Sequence, residues 1–123
     1  MTEDMHVNEL LTYAIHFMHN SALNNTKKII EYFYNVEEIN DAKKCLWDVA
    51  TDNLDPFITR KNTTKRTLSA ANIDDIFDAL LKLDSVSKLP KFVAFNLSRI
   101  PDRQPEELNL LYIIDRLSNA EKN

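Results

Sequence analysis

The chain of 123 residues contains no glycine. Average usage of about 7% would supply roughly nine. Phosphate-binding loops, dinucleotide-binding turns and the nucleophile elbow of hydrolases all need glycine, because only glycine gives the required positive φ angles and close backbone approaches. Tight two-residue hairpins are disfavoured for the same reason. The sequence therefore excludes these motifs and favours helices that are joined by capped turns.

The composition is that of one ordinary globular domain. Hydrophobic residues make up 44% of the chain and charged residues 28%, as in typical folded domains. The net charge of −4 argues against general nucleic-acid binding by the whole domain, although a local basic patch can override the total. Cys45 is the only cysteine, the start of the chain is acidic, and no membrane span is visible. We expect an intracellular protein, cytoplasmic or nuclear, that does not enter the membrane.

Apolar residues recur at helical spacing along most of the chain. This spacing predicts an all-α fold, a single domain over 1–123 that packs five to six short helices around one long irregular basic loop. The predicted helices span 4–20, 26–34, 36–51, 73–85, 90–96 and 105–118, followed by a frayed tail at 119–123. The stretch 89–100 also alternates with the two-residue period of a strand. There we expect a short helix that runs into an extended segment.

Asparagine side chains mark two predicted helix starts. Asn35 is an expected N-cap, and Glu38 lies three residues later, in the spacing of a capping box. Asn72 is the expected N-cap of the helix 73–85, because its amide oxygen can accept a free backbone N–H of the first turn. Asparagine thus takes the place that glycine has in many helix connections.

Polar and turn-forming residues interrupt the helical pattern over 52–71. Either Leu54, Phe57 and Ile58 pack on the core as a partly ordered strap, or the stretch is mobile. Long irregular connections in a small domain are unusual and often functional. We therefore expect this stretch to be the part of the chain that function has shaped most.

The same stretch carries four positive charges within 60–66, RKNTTKR, on an otherwise acidic chain. This is the one pronounced charge asymmetry of the sequence. Its first interpretation is a solvated loop that charge attraction holds near the acidic helix 73–85. The second is nucleic-acid contact through 60–66, because flexible lysines and arginines suit phosphate groups; the third is a protein contact. The residues predicted to contact nucleic acid or a partner are Arg60, Lys61, Lys65, Arg66, Arg99 and Arg103.

Three aspartates lie in the first half of the predicted helix 73–85. Asp74, Asp75 and Asp78 complement the positive end of the helix dipole. Paired carboxylates can also perform acid–base chemistry, but capping and dipole effects already explain them here. As an alternative, they form an acidic face for a basic protein partner.

No set of residues predicts a catalytic or metal centre. His16 and His19 share a helix side, but zinc needs three or four ligands. Cys45 lies beside the apolar stripe of the helix 36–51, so a buried or half-buried structural thiol is expected. We expect no catalytic residue, no metal site, no cofactor, no enzymatic activity and no small-molecule substrate.

Five aromatic residues lie beside the main apolar stripes, and most are expected in the second layer of the core. If several were exposed together, they would mark a surface for a partner or for self-association. They are Tyr13, Phe17, Tyr32, Tyr34 and Trp47.

The order of four segments resembles a helical N-terminal module that recurs in mobile-element-like, retrotransposon-type open reading frames of invertebrates. The segments are ELLTYAIHFMH, IIEYFYNVEEINDAKKCLWD, NIDDIFDALLKLD and LPKFVAFNLSRIPDRQPEELNLLYIIDRL, which together run from about Glu9 to Leu117. This family has no assigned activity, so no functional residue is carried over. The resemblance implies a non-catalytic module that assists assembly of the element or binding of its nucleic acid, and that usually precedes further segments.

These observations predict a non-catalytic module for protein–protein interaction or self-association, encoded by a mobile element. Nucleic-acid binding through the basic loop 60–66 is the first alternative. A death-fold-like adaptor domain is the second, and it depends on fold-level analogy alone.

Overall fold

The computed structural model describes residues 5–19, 22–61 and 64–102. Four α-helices dominate these ranges: α1 (Glu9–Phe17), α2 (Leu23–Phe33), α3 (Val36–Ala50) and α4 (Lys65–Ser85). Two short strands, β1 (Met5–Val7) and β2 (Lys91–Val93), form a parallel pair. Single 3₁₀ turns cover Thr51–Asn53 and Leu97–Arg99. The predicted mainly helical fold is confirmed, with four α-helices in the described residues rather than five to six.

The predicted helix 4–20 is wrong at both ends, because α1 is shorter and a strand precedes it. Asn8 separates the two elements, and its Oδ1 accepts a hydrogen bond of 2.9 Å from the Leu11 N–H as the N-cap of α1. The Asn8 N–H itself donates to the Val93 carbonyl at 3.0 Å. Pairing with a distant strand therefore decides the conformation of 5–7.

The predicted helix 90–96 is also wrong. Residues 91–93 form β2, whose Phe92 lies opposite His6 in the register. Only the extended part of the expectation for 89–100 is confirmed, since the strand period matched and the helix did not form. The predicted helix 105–118 and the tail 119–123 lie outside the described residues.

Helix α4 begins eight residues earlier than predicted, which shortens the irregular loop 52–71. Thr64 is its N-cap and accepts a hydrogen bond of 3.2 Å from the Thr67 N–H through Oγ1. Asn72, the expected N-cap, lies inside the helix and is buried. The polar side chains of 64–72 hid this part of the helix, because few apolar residues mark its period.

The core lies between the four helices. Helix α4 packs against α2 and α3, and α1 packs against α2, α3 and β2. No helix in the described ranges is both long and apolar enough to span a membrane. The fully buried apolar side chains at the centre are Leu11, Ile30, Ile39, Leu46, Ile73, Ile76, Phe77, Leu80 and Leu83.

Hydrogen bonds from side chains and from the backbone cap the helix termini without any glycine. The predicted capping box of α3 is confirmed: Asn35 Oδ1 accepts from the Glu38 N–H at 2.7 Å, and Glu38 Oε1 accepts from the Asn35 N–H at 3.1 Å. At the end of α4, the Lys88 N–H donates to the Leu83 carbonyl at 2.8 Å. This bond closes a Schellman motif, and its left-handed residue is Ser87, with φ 58°. Among the described residues, Ser87 alone has positive φ.

Candidate interaction surface

A buried lysine of α3 organises the irregular segment 54–61, which we call the strap. The Lys43 side chain is 1% exposed. Its Nζ donates to the Ile58 carbonyl at 2.6 Å, to Asn72 Oδ1 at 3.1 Å and to Asp75 Oδ2 at 2.8 Å. Three acceptors match the three protons of an ammonium group. All three N–H groups of the Lys43 ammonium therefore have acceptors inside the fold.

Asp75 of α4 links this lysine to the strap. Arg60 donates to both carboxylate oxygens, from Nε to Oδ2 at 2.7 Å and from Nη2 to Oδ1 at 2.5 Å. Burial by itself would raise the pKa of Asp75, but hydrogen bonds from Arg60 and Lys43 hold that pKa below its ordinary value. The hydrogen bond with Asp75 in turn raises the pKa of Arg60. The two cations thus keep Asp75 ionised.

Aromatic rings cover the same lysine. Its Nζ lies 4.7 Å from the ring centroid of Phe57 and 5.8 Å from that of Trp47. Trp47 contacts Phe57 edge-on at 5.8 Å and donates from Nε1 to the Asp55 carbonyl at 2.8 Å. The strap is thus packed on α3 and α4, as the first alternative for residues 52–71 expected, with Leu54 and Phe57 half-buried and Ile58 exposed.

The predicted basic set does not form one surface. Arg60 binds Asp75, a residue of the predicted acidic face, so the strap is held against the acidic helix by charge attraction. Lys61, Lys65 and Arg66 are exposed, and Arg66 Nε lies 3.8 Å from Glu31 Oε1. Arg103 lies outside the described residues.

The rest of the predicted acidic face is exposed. Asp74 pairs with Lys27 of α2 at 3.0 Å. Asp78 is exposed and lines a cleft of about 180 Å³ between the strap, α3 and α4. Lys82 and Asp55 approach each other to 3.6 Å beside that cleft. The three aspartates therefore have separate environments, and only Asp75 belongs to a buried network.

Arg99 has a second network, at the first turn of α3. Its Nη2 donates to Glu38 Oε2, and its guanidinium carbon lies 5.2 Å from the ring centroid of Phe33 and 5.7 Å from that of Tyr34. The Tyr34 hydroxyl donates to the Arg99 carbonyl at 2.5 Å. Burial raises the pKa of Tyr34, although the charge of Arg99 lowers it. Arg99 therefore fastens its own segment to α2 and α3.

The segment 94–99, which we call the apolar loop, is fixed at a second point. The Asn96 N–H donates to Glu9 Oε1 at 3.0 Å. The Oδ1 atom of Asn96 accepts hydrogen bonds from the Ser98 N–H at 3.2 Å and from the Ser98 hydroxyl at 2.6 Å. Between and beside these anchors, Phe95 is 80% exposed and Leu97 is 74% exposed. A fixed backbone therefore presents two large apolar side chains to solvent.

Sequence reasoning did not predict that Phe95 and Leu97 are exposed. Their alternation with Ala94, Asn96 and Ser98 was interpreted as a strand period, which normally indicates one buried face. The signal that could have found them is the Asn96–Ser98 pair, because an asparagine two residues before a serine favours a local turn. A turn at this point places its neighbours outside the core.

The aromatic residues singled out from the sequence do not form an exposed patch. Tyr13 and Tyr34 are buried, and Phe17 and Trp47 are half-buried. Tyr32 on α2 is 95% exposed. Four of the five therefore belong to the core or its edge.

The histidines and the cysteine have ordinary surroundings. His16 is exposed and contacts Phe17 edge-on at 4.6 Å, and His19 Nε2 lies 2.7 Å from Asp84 Oδ2. Cys45 is half-buried, and burial, with a smaller effect from Asp48, raises the pKa of its thiol. Within the described part of the chain, no three His, Cys, Asp or Glu side chains are placed to hold a metal ion.

Phe95 and Leu97 of the apolar loop are exposed apolar side chains that the internal networks do not account for. Comparison of the chain with family models, curated proteins and solved structures finds no match.

Proposed function

We propose that the protein is a non-catalytic protein–protein interaction module that binds a partner through the apolar loop. The observation that carries the proposal is the exposure of Phe95 and Leu97 on a backbone anchored at Asn96 and Arg99. The resemblance to modules of mobile-element reading frames is compatible with such a role and stays a prediction.

The energetics favour burial of this pair against a partner. Covering a Phe or Leu side chain contributes about 1.5–3 kcal/mol each. Aromatic side chains are common anchors at interface centres. Because Asn96 and Arg99 already hold the backbone, binding loses little loop entropy, and more of the burial energy is available as affinity.

The apolar loop is preferred over the strap as the binding surface, because the charged groups that hold the strap pair with one another inside the protein. Arg60 of the strap and Lys43 of α3 both bind Asp75 of α4. A ligand for this site would have to break a buried, three-acceptor network around Lys43. Removing one partner of such a network is strongly unfavourable.

A peptide selection tests the proposal. A random 12-residue peptide library is selected on immobilised wild-type protein, and binding of the enriched peptides is measured on Phe95→Ser/Leu97→Ser and on Tyr32→Ser. Tyr32 is the matched control, because it is a highly exposed aromatic residue of α2 outside the apolar loop. Circular dichroism checks that both variants fold.

We expect enriched peptides that bind the wild type and Tyr32→Ser alike but lose binding to the double variant. Equal binding to all three proteins, or no enrichment, would overturn the proposal. Sedimentation velocity of the wild type and the double variant tests self-association at the same surface. A dimer that only the wild type forms identifies a second copy as the partner.

Nucleic-acid binding is the second candidate. The observation in its favour is that Lys61 at the end of the strap, and Lys65 and Arg66 at the start of α4, are exposed. Glu31 and Glu37 line the same concave surface as Lys65 and Arg66, so acidic side chains interrupt the basic surface there. An electrophoretic mobility-shift assay at low salt compares binding of DNA and RNA by the wild type and by Lys61→Glu/Lys65→Glu/Arg66→Glu. Equal binding by the two proteins would exclude this candidate.

A further inference from the structure

A groove of about 350 Å³ lies beside the apolar loop and shares Asn96 and Arg99 with it. Its other walls come from the start of α1, from Tyr34 and from the first turns of α3. We call it the acidic groove, because its lining includes the carboxylates of Glu9, Glu38 and Asp41. The exposed Phe95 and Leu97 are thus direct chain neighbours of two residues that line the groove.

The acidic groove carries more negative charge than its own cation balances. Arg99 neutralises Glu38. Glu9 accepts a hydrogen bond from the Asn96 backbone, which supplies no formal charge. Asp41 is exposed, and no side chain in the described ranges forms an ion pair with it. Among the side chains that the structure describes, none forms an ion pair with Glu9 of α1 or Asp41 of α3, and the groove they line includes Asn96, which lies between Phe95 and Leu97.

Arg99 shows which kind of cation fits these walls. Its guanidinium lies over the rings of Phe33 and Tyr34 and donates to Glu38. Flat cations stack on aromatic faces and pair with carboxylates at the same time, which a compact ammonium does less well. The chain itself thus places an arginine between aromatic and carboxylate groups at one end of the groove.

Building on the proposed function, we infer that the apolar loop binds a partner segment that is both apolar and basic. Apolar side chains of that segment cover Phe95 and Leu97. A neighbouring Arg or Lys side chain enters the acidic groove and pairs with Glu9 and Asp41. Acidic segments and nucleic-acid phosphates are disfavoured, because like charges across an interface are repulsive.

The experiment uses the peptides selected on the wild-type protein. Their Lys and Arg content is compared with that of the unselected library, and their affinities are measured by fluorescence polarisation on Glu9→Gln/Asp41→Asn. Gln at position 9 keeps a carbonyl oxygen for the Asn96 N–H, so the apolar loop stays anchored. Asp52→Asn is the matched control, since Asp52 is an exposed carboxylate that does not line the groove.

We expect each loop-dependent peptide to carry a basic residue close to its apolar residues. Glu9→Gln/Asp41→Asn weakens binding about three- to tenfold and reduces its dependence on salt, whereas Asp52→Asn leaves both unchanged. Loop-dependent peptides without enrichment of Lys or Arg, or with unchanged affinity for the groove variant, overturn this inference alone. Absence of any loop-dependent peptide overturns the proposed function and this inference together.

Discussion

The strap and the apolar loop are both irregular, and each is fastened to a helix by an arginine. Arg60 holds the strap on Asp75 of α4, and Arg99 holds the apolar loop on Glu38 of α3. The first pair is part of a network around a buried ammonium group, whereas the second lies at the surface with half-exposed side chains. The same fastening device thus serves two different surroundings.

The two segments differ most in where they place their aromatic side chains. Phe57 of the strap contacts Trp47 and lies over the Lys43 ammonium, so it covers the core. Phe95 of the apolar loop points to solvent. The strap thus packs its aromatic side chain against the fold, whereas the apolar loop leaves its aromatic side chain accessible, as the proposed partner contact requires. This contrast is the reason that the proposed interaction is placed at the apolar loop.

The largest expected effect is at the strap. Asp75→Ala should lower the free energy of unfolding by about 3–5 kcal/mol, because it leaves a buried ammonium without its carboxylate. The control is Asp74→Ala, which removes an exposed ion pair with Lys27 and should cost less than about 1 kcal/mol. Urea denaturation measures both. Equal losses would show that the buried network around Asp75 stabilises the protein no more than the ion pair of Asp74 with Lys27 does.

Acid should weaken the strap through the same carboxylate. In the folded protein the pKa of Asp75 lies below its ordinary value of 3.8, so protonation favours the unfolded chain. The stabilisation is fully present above the ordinary value and is lost as the pH falls through the lower, folded pKa. Unfolding free energies measured by urea denaturation from pH 6 down to pH 2 should therefore fall more steeply for the wild type than for Asp75→Asn. Identical slopes would count against an ionised Asp75 in the fold.

Removing each arginine should loosen one segment and leave the other intact. Arg99→Ala should lower the free energy of unfolding by about 1–2 kcal/mol through lost stacking and pairing, and it should speed amide hydrogen exchange at Asn96 and Ser98. Arg60→Ala should instead shift the emission of Trp47, the only tryptophan, to longer wavelength as the strap loosens. If either variant changed both readouts, the two fastenings would be coupled.

The smallest expected effect lies between the two segments, at the end of α4. Ser87→Gly should raise the free energy of unfolding by about 0.5–1 kcal/mol, since glycine adopts the left-handed cap without steric strain. The control Ser85→Gly, at the last residue of the helix, should lower it, because glycine loses more backbone entropy on folding where φ is negative. Thermal unfolding measures the two signs. Neither change should affect binding of loop-dependent peptides, which separates stability from function.

Local signals predicted the parts of the fold that local contacts decide. Helix α3 follows the predicted range 36–51 within one residue, because its capping box and its apolar period lie inside the same segment. The start of α4 was missed, because Thr64 caps a polar first turn that carries few apolar markers. The parallel pairing of β1 with β2 was missed, because each strand is only three residues long and finds its partner far along the chain.

The candidate surface was harder to predict than the helices. Charge attraction between the basic loop and the acidic helix was the first interpretation of the sequence, but nothing local shows that Arg60 is the residue that binds Asp75. Lys43 was not selected, because its acceptors at Ile58 and Asn72 come from other segments. Exposure of Phe95 depends on how the backbone leaves β2, which only tertiary packing decides. Charge and apolar pattern are local properties, whereas pairing and exposure are not.

The anchors of the apolar loop have a consequence for the order of folding. The contact between Glu9 and Asn96 spans 87 residues, and that between Tyr34 and Arg99 spans 65. Contacts of such long range form late, because loop-closure entropy must be overcome before they stabilise the chain. A partly folded molecule can thus contain α3 and α4 without presenting Phe95 and Leu97 in their fixed arrangement. A partner of the apolar loop would distinguish completely folded chains from incomplete ones, and its binding would stabilise the contacts that form last.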